Sequence, residues 1–220
     1  MIREISFCIL NYSESDKFLK RCIESVDNQG LSEYEILVWG ISCNEDNVKY
    51  CRKEDWARQG ALNKMRNYLC SHASKEFIVL MDSNVELTRD WYSQIKRANC
   101  FDLIGSRLVT SDNKRVIDWA YQVRLAGQNL PLPLQYDEWT TRAYISGILI
   151  MIGRSVWEDL KFNEGLLLGK DDDMDFCLQA SKIGFRTGVF PEAIAIWHYN
   201  KKSYASTLLS KLARNFRITP

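Results

Sequence analysis

The sequence predicts an α/β fold with a mostly parallel central sheet flanked by helices. Apolar runs typical of buried strands alternate with segments of helical periodicity through the first eighty residues. This β-α-β-α-β order favours parallel strands with helices on both faces of the sheet. The chain has 220 residues, 46% of them apolar, which is enough for the core of one such domain.

The first half supplies the predicted elements that define one ligand crevice. Residues 4–10, 35–38 and 77–81 are predicted strands, and residues 16–28 and 60–73 are predicted helices. Ligands of parallel sheets bind beyond the carboxyl ends of the strands. Asn11, the pair Trp39-Gly40, and Asp82 follow the three strands, so we expect them to lie close together.

The second half has a less regular pattern. Strands are predicted at residues 103–109, 116–121, 186–189 and 194–197, with an interrupted apolar run at 141–152, and helices are predicted at 90–98, 172–183 and 203–216. Residues 122–139 are polar and contain proline, which predicts a loop. Ser155 and Glu158 have the spacing of a capping box for a short helix. We expect one domain, with halves at about 1–100 and 101–200 and a basic helix at 201–220.

Composition excludes several classes of protein. The formal net charge of +1 at pH 7 argues against a nucleic-acid partner. The seven cysteines form no C-x-x-C pair, and most lie in apolar runs, so we expect them to be reduced. The longest apolar stretch, at 144–153, is too short to cross a bilayer, and the first residues enter a strand directly. These features predict a cytoplasmic location.

The first polar cluster is Asp82-Ser83-Asn84, which directly follows a buried strand. A carboxylate at this place suits a hard divalent cation, such as Mg²⁺ or Mn²⁺, which keeps substrate phosphates as further ligands. Asn84 is two residues on and points the same way in an extended chain, and Glu86 continues the alternation as a reserve ligand. The alternative is an Asx turn that only ends the strand.

The second cluster places four acids among residues 171–175, at the start of a predicted helix. Capping and the helix dipole account for one or two acids in a first turn, but not for four. Carboxylates held together raise the pKa of one member unless a cation is near, and a general base at neutral pH needs such an environment. The alternative is a solvated, acidic helix start.

Two single residues are candidates as well. His198 follows the apolar run at 194–197 and is either a third metal ligand or a structural histidine. Arg66 lies on the second helix, where it braces the acidic cluster, binds a phosphate, or is simply exposed.

In order along the chain, these motifs resemble those of the inverting, nucleotide-sugar-dependent glycosyltransferases of the GT-A fold, in the large family often called family two. The resemblance covers nearly the whole chain. The matching segments are residues 5–12, 22–29, 60–67, 81–84, 146–147, 162–164, 172–178, 184–186, 191–193 and His198. Residues 162–176 are closest to bacterial rhamnosyltransferase-like members, and the short chain is similar to small virus-encoded GT-A domains that decorate capsid protein.

The resemblance implies roles for individual residues. Asp82 and Asn84 would hold Mn²⁺ or Mg²⁺ on the donor diphosphate, assisted by His198 in some relatives. Asp173 would deprotonate the acceptor hydroxyl, and Asp172 would support acceptor binding. The other donor-site positions are Asn11, Tyr12, Gly40, Arg66 and Ser83.

The resemblance also implies partners. The donor would be a UDP-, GDP- or dTDP-sugar carrying a hexose or deoxyhexose, and the acceptor would be a glycan or glycoprotein. The loop at 122–139 would face that acceptor.

Two departures from the family pattern bear on function. The family's second strand ends in Asp-Asp-Gly-Ser, whose acid contacts the nucleotide, whereas this chain has Trp39-Gly40-Ile41-Ser42. Asn84 stands where the family has a second aspartate. These departures motivate an alternative, a catalytically degenerate domain that binds a nucleotide sugar or glycan.

Two further alternatives concern other classes of function. A sugar nucleotidyltransferase needs a glycine-rich basic loop after the first strand, and residues 11–14 do not form one. The basic amphipathic helix at 203–216 either packs on the domain or makes peripheral contact with an anionic membrane.

Overall fold

A computed structural model describes residues 2–11, 16–40, 48–51, 56, 59–98, 100–125, 128–166 and 171–198. The strands are β1 (Glu4–Leu10), β2 (Glu33–Trp39), β3 (Val48–Cys51), β4 (Phe77–Asp82), β5 (Val85–Leu87), β6 (Leu103–Thr110), β7 (Trp119–Leu125), β8 (Gln128–Pro133), β9 (Ala143–Ile145), β10 (Leu149–Gly153) and β11 (Thr187–Trp197). The helices are α1 (Asp16–Asp27), α2 (Leu62–His72), α3 (Trp91–Ile95), α4 (Arg154–Asp159) and α5 (Asp172–Lys182).

The central sheet has eight strands in the order β3-β2-β1-β4-β10-β6-β11-β5. Strands β3, β2, β1 and β4 are parallel, as are β6 and β11, whereas β10 runs antiparallel to both β4 and β6. A smaller antiparallel sheet has the order β8-β7-β9. The predicted α/β architecture with a mostly parallel sheet is therefore confirmed.

The central sheet is covered on both faces, which explains its continuous apolar runs. Along β1, Cys8 and Leu10 enter one hydrophobic core, while Phe7 and Ile9 enter another on the opposite face. The first core also contains residues of α2, α4, α5 and the smaller sheet, and the second contains residues of α1 and α3. Strands buried on both sides lose the alternation of apolar and polar residues that one-sided sheets show.

The strand register aligns the ends of three central strands. Leu10 of β1 pairs with both Trp39 of β2 and Asp82 of β4. The residues that follow are joined as well, because the Asn11 N–H donates to the Trp39 carbonyl at 2.8 Å and the Ser83 N–H donates to the Leu10 carbonyl at 3.0 Å. The ends of these three strands therefore lie together at the carboxyl edge of the sheet, as expected.

Several local predictions were wrong. Residues 122–139 are not one loop, because β7 continues to Leu125 and pairs with β8, an edge strand in which prolines need no partner for a missing N–H. Residues 186–189 and 194–197 belong to one strand, β11, whose register shifts between Phe190 and Ile194. Helix α4 begins earlier than its proposed cap, with Gly153 as N-cap and no side-chain capping bond.

Short strands were missed, and one predicted helix was not tested. β3 and β5 have four and three residues, too few to show periodicity in the sequence. The helix predicted at 203–216 lies outside the described residues. Among the helices that the structure describes, none has the length and apolar character needed to cross a membrane.

Candidate functional site

The turn that follows β4 is fixed by bonds to two neighbouring segments. The Asp82 N–H donates to the Ile148 carbonyl at 3.0 Å, and Asp82 is 9% exposed. The Ser83 hydroxyl donates to the Asn11 side-chain oxygen at 3.0 Å. Ser83 therefore ties the turn after β4 to the end of β1 at the carboxyl edge of the sheet.

Gly40 allows the ends of β1 and β2 to approach each other. Its φ is +139°, a conformation that residues with side chains rarely adopt. A Cβ atom at this position would lie 2.5 Å from the carbonyl oxygen of Asn11. The Gly40 N–H donates to the Cys51 carbonyl at 3.0 Å, so β3 holds this segment from the other side.

Asp173 lies in the first turn of α5 and is half-buried. Its Oδ2 accepts the Gly147 N–H at 2.9 Å, and its Oδ1 accepts the Met174 N–H at 2.9 Å. Burial raises the pKa of Asp173 above its ordinary value, the charge of Asp172 adds to this, and the Gly147 N–H and the charge of Arg66 oppose it. The net result is a carboxylate that holds a proton more tightly than a free aspartate does.

The segment Gly147-Ile148 joins the two halves of the site. Its first residue donates to Asp173, and the carbonyl of its second residue accepts from Asp82. Asp82, through its backbone, and Asp173, through its carboxylate, are therefore joined by one short stretch of chain. The family resemblance assigns both residues to one site, although about ninety positions separate them, but it does not predict the link through Gly147-Ile148.

Arg66 and Asp172 form a buried ion pair, with residue exposures of 4% and 6%. Arg66 Nη1 also donates to Asn63 Oδ1 at 3.2 Å, and Nη2 donates to the Gly147 carbonyl at 3.4 Å. A Cβ atom on Gly147 would collide with Nη2. The alternative that Arg66 is simply exposed was therefore wrong. Its contacts with Asp172 and Gly147 hold the acidic cluster in position.

The acidic cluster is not a solvated helix start, so that alternative was wrong. Asp171 is the N-cap of α5, with φ +59°, and its Oδ1 accepts from Gln122 Nε2 at 2.7 Å. Asp175 Oδ2 accepts from Gln179 at 2.6 Å. With Asp172 paired to Arg66 and Asp173 bonded to Gly147, the four carboxylates have separate partners. Distinct partners reduce the mutual repulsion that the sequence alone suggests.

His198 is engaged through both ring nitrogens. Nε2 lies 2.7 Å from Glu86 Oε2, and Nδ1 lies 3.2 Å from the Ser111 hydroxyl. The ring stacks on Phe18, with centroids 5.8 Å apart. The His198 N–H donates to the Asn84 carbonyl at 2.8 Å, so the histidine lies directly beside the turn after β4.

The oxygen atoms at this turn fit a hard divalent cation. Asn84 Oδ1 is buried and, within the described residues, has no hydrogen-bond partner, an arrangement that calls for an explanation. Asp82 supplies a carboxylate two residues before it, and carboxylate and amide oxygens are ligands of Mg²⁺ and Mn²⁺. In the described part of the chain, no three His, Cys, Asp or Glu side chains converge on one metal position. Glu86, the reserve ligand, is bonded to His198 instead.

Several contributing residues were not predicted. Gln122 lay in a segment that was expected to be a loop, and no sequence pattern marks it as a partner of Asp171. Asn67 binds residues 162–164: its Nδ2 donates to the Phe162 carbonyl and to Glu164, both at 2.9 Å, and its Oδ1 accepts the Phe162 N–H at 3.0 Å. Tyr12 lies outside the described residues.

Comparison with known proteins identifies the fold. No protein-family model matches the chain, and no curated protein matches it. A solved structure of GalNAc-T7 with UDP, GalNAc and Mn²⁺ is similar, with a TM-score of 0.69 and 16% identity, over 90% of this chain and 43% of that one. S. aureus TarS 1–349 in complex with UDP has a TM-score of 0.63 and 17% identity, over 93% of this chain and 63% of that one. The structure of TarS 1–349 in complex with UDP-GlcNAc has the same TM-score, over 90% and 59%.

These likenesses establish the GT-A fold for this chain, as its sequence motifs led us to expect. The chain spans between about two fifths and two thirds of the length of the matched structures.

Proposed function

We propose that this protein is a glycosyltransferase that moves a sugar from a nucleotide-diphosphate donor to an acceptor hydroxyl of a glycan or glycoprotein. The observation that carries the proposal is the link from Asp82 through Gly147-Ile148 to Asp173. This link supports a site in a GT-A fold where Asp82 would serve the donor and Asp173 would serve the acceptor. Residues 1–100 would supply the donor half and residues 101–200 the acceptor half, within one domain.

The proposed donor site lies around the carboxyl ends of β1, β2 and β4. Asp82 and Asn84 would hold Mn²⁺ or Mg²⁺, and the unpartnered Oδ1 of Asn84 supports this assignment. When bound, the cation would offset the negative charge of the diphosphate as it departs. His198 would become a third ligand only by giving up its bond to Glu86 or Ser111. Asn11, Ser83 and Gly40 would shape the wall against which the nucleotide lies.

Asp173 is the proposed base. Its raised pKa makes it a stronger base than a free aspartate, and its bond to Gly147 fixes its orientation. The acceptor oxygen would attack the anomeric carbon from the side opposite the diphosphate. The new O–C bond forms as the bond from carbon to diphosphate oxygen breaks, and the acceptor proton passes to Asp173. One displacement inverts the anomeric centre without a covalent intermediate.

The test of this assignment is the Asp173→Asn variant. Removal of a general base is expected to lower the rate of transfer by about 10²–10⁴-fold, while donor binding stays unchanged. The assay is turnover of UDP-, GDP- and dTDP-sugars with a panel of glycan acceptors in the presence of Mn²⁺. Asp175→Asn is the matched control, because Asp175 lies on the same helix and its carboxylate accepts from Gln179 on that helix. Unchanged transfer by Asp173→Asn would contradict the assignment.

A second candidate function is a catalytically degenerate domain that binds a nucleotide sugar or a glycan. The occupied ring nitrogens of His198 and the absence of an acid at Trp39-Gly40 favour it. It predicts that the wild-type protein binds a donor but releases no nucleoside diphosphate during long incubation with any acceptor. Steady release that depends on Asp173 would exclude this candidate.

A further inference from the structure

A second cleft lies at the edge of the central sheet that is opposite to Asp82. Leu103 pairs with both Thr187 and Ile152, and Ile152 pairs with Ile78 near the start of β4, whereas Asp82 ends β4. The cleft has a volume of about 340 Å³, within the range of small-molecule sites. We call it the distal cleft; the lining residues used below are Trp139, Thr140, Ser181, Phe185, Arg186 and Thr187.

The rim of the distal cleft presents an aromatic surface to solvent. Trp139 is 62% exposed, which is unusual for a side chain with so large an apolar surface. Phe185 lies in the same lining and is half-buried. Contact with a ligand that has an apolar face would remove this surface from water, which is favourable.

The lining of the distal cleft also contains polar side chains. Thr187 is only 7% exposed, and its hydroxyl has no hydrogen-bond partner within the described residues. A buried hydroxyl without a partner costs free energy, so a group from outside the chain gains by bonding to it. Thr140 and Ser181 add two hydroxyls to the lining. Arg186 also lines the cleft; its backbone N–H donates to Asp102 Oδ2 at 2.8 Å, and its side-chain Nε donates to the same oxygen at 3.4 Å.

From these features we infer that the distal cleft binds a saccharide ring. A pyranose has one face of C–H groups, which packs on an aromatic ring, and hydroxyls around its rim, which bond to Thr, Ser and Arg side chains. An aliphatic side chain of a protein partner would cover Trp139 but leave the Thr187 hydroxyl unpaired. Within the proposed function, the ring would belong to the acceptor, away from its reacting hydroxyl. That role rests on the proposed function, whereas saccharide binding does not.

The test uses the full chain labelled with 5-fluorotryptophan and observed by ¹⁹F NMR. The Trp139 resonance is assigned by its loss in Trp139→Phe. The probes are the methyl glycosides of glucose, galactose, mannose, rhamnose, N-acetylglucosamine and N-acetylgalactosamine, without donor or metal. We expect a saturable shift of the Trp139 resonance with at least one probe, and the same shift after UDP and Mn²⁺ are added.

Variants separate the saccharide site from other sources of the shift. Thr187→Val keeps the shape of the side chain but loses the hydroxyl, and it should weaken binding roughly three- to tenfold. Thr141→Val is the control, because its side chain is exposed and does not line the cleft. No saturable shift with any probe would overturn the inference. An affinity unchanged in Thr187→Val, or binding lost in Asp82→Ala, would overturn it too. Because no donor is used, failure here leaves the proposed transfer reaction untouched.

Discussion

At the scale of single residues, Arg66 does more than its position on α2 suggests. Its guanidinium pairs with Asp172 and donates to the Gly147 carbonyl, while the N–H of Gly147 donates to Asp173. One buried cation thus orients both the acidic cluster and the segment that carries the proposed base. Arginine suits this role because its planar, forked donors reach several acceptors at once.

The first prediction concerns removal of this cation. Arg66→Gln should lower the free energy of unfolding by about 3–5 kcal/mol, because Asp172 is left buried and unpaired. The measurement is urea unfolding at pH 7. The double variant Arg66→Met with Asp172→Leu should recover much of the loss, and Arg21→Gln, at an exposed helical position, should change stability by less than about 0.5 kcal/mol. A loss in Arg66→Gln as small as that in Arg21→Gln would refute the bracing role.

A second prediction follows from the raised pKa of Asp173. The proposed base would act only when it is deprotonated, so kcat/KM should rise with pH through a pKa above that of a free aspartate. Since the charge of Asp172 contributes to the raised pKa, Asp172→Asn should move this limb of the pH profile to lower pH. If kcat/KM of Asp172→Asn rises at the same pH as in the wild type, or at a higher pH, the electrostatic explanation is contradicted.

The same pKa has a stability consequence of definite sign. The folded protein holds the Asp173 proton more tightly than the unfolded chain does, so ionisation of this group destabilises the fold. The contribution of Asp173 to the free energy of unfolding is therefore fully present below the pKa that Asp173 has in the unfolded chain. It is lost as pH rises through the higher pKa that Asp173 has in the folded protein. Asp173→Asn should remove that pH dependence, as followed by thermal unfolding between pH 4 and 8.

At the scale of elements, the strands that the sequence predicted well are those buried on both faces. β1 and β4 have almost no exposed position, and their continuous apolar runs are unambiguous. β5 was missed because its three residues form a strand only by pairing with β11. β8 was missed because two prolines suggest a loop, although an edge strand tolerates them.

The close approach of β1 and β2 gives a third prediction, in which two glycines are compared. Gly40 and Gly30 both have positive φ, but only Gly40 would place a Cβ against another backbone segment. Gly40→Ala should therefore destabilise the fold by about 1–3 kcal/mol more than Gly30→Ala, and it should weaken binding of the donor nucleotide. Urea unfolding and calorimetric titration with UDP measure the two effects. Equal losses would show that the contact with Asn11 is unimportant.

At the scale of the whole molecule, sequence reasoning reached the fold class but only part of the site. The order of strands and helices predicts the carboxyl edge of the sheet, and with it the closeness of Asn11, Gly40 and Asp82. The family resemblance assigned Asp82 and Asp173 to one site, but their link through Gly147-Ile148 was not predictable, because it depends on the antiparallel insertion of β10 beside β4. Partners such as Gln122 depend on tertiary packing and leave no local pattern in the sequence.

The basic segment at 201–217 gives a fourth prediction, which rests on sequence alone. If this segment binds membranes, the full chain should pellet with vesicles that contain anionic lipid, and a chain truncated after Asn200 should not. Because the attraction is electrostatic, pelleting should fall as salt rises. If the full-length protein stays in the supernatant at low salt, the hypothesis that this segment contacts membranes is wrong.

The proposal depends most on whether the turn at Asp82 and Asn84 binds a nucleotide sugar together with a metal. The decisive measurement is thermal unfolding with UDP-, GDP- and dTDP-sugars, with and without Mn²⁺, for wild type, Asp82→Ala and Asp173→Asn. We predict that one nucleotide raises the Tm of the wild type and of Asp173→Asn by roughly 5–10 °C at a hundredfold excess over Kd, only with Mn²⁺, and leaves Asp82→Ala unchanged. No rise with any donor, or an equal rise in Asp82→Ala, would contradict the account.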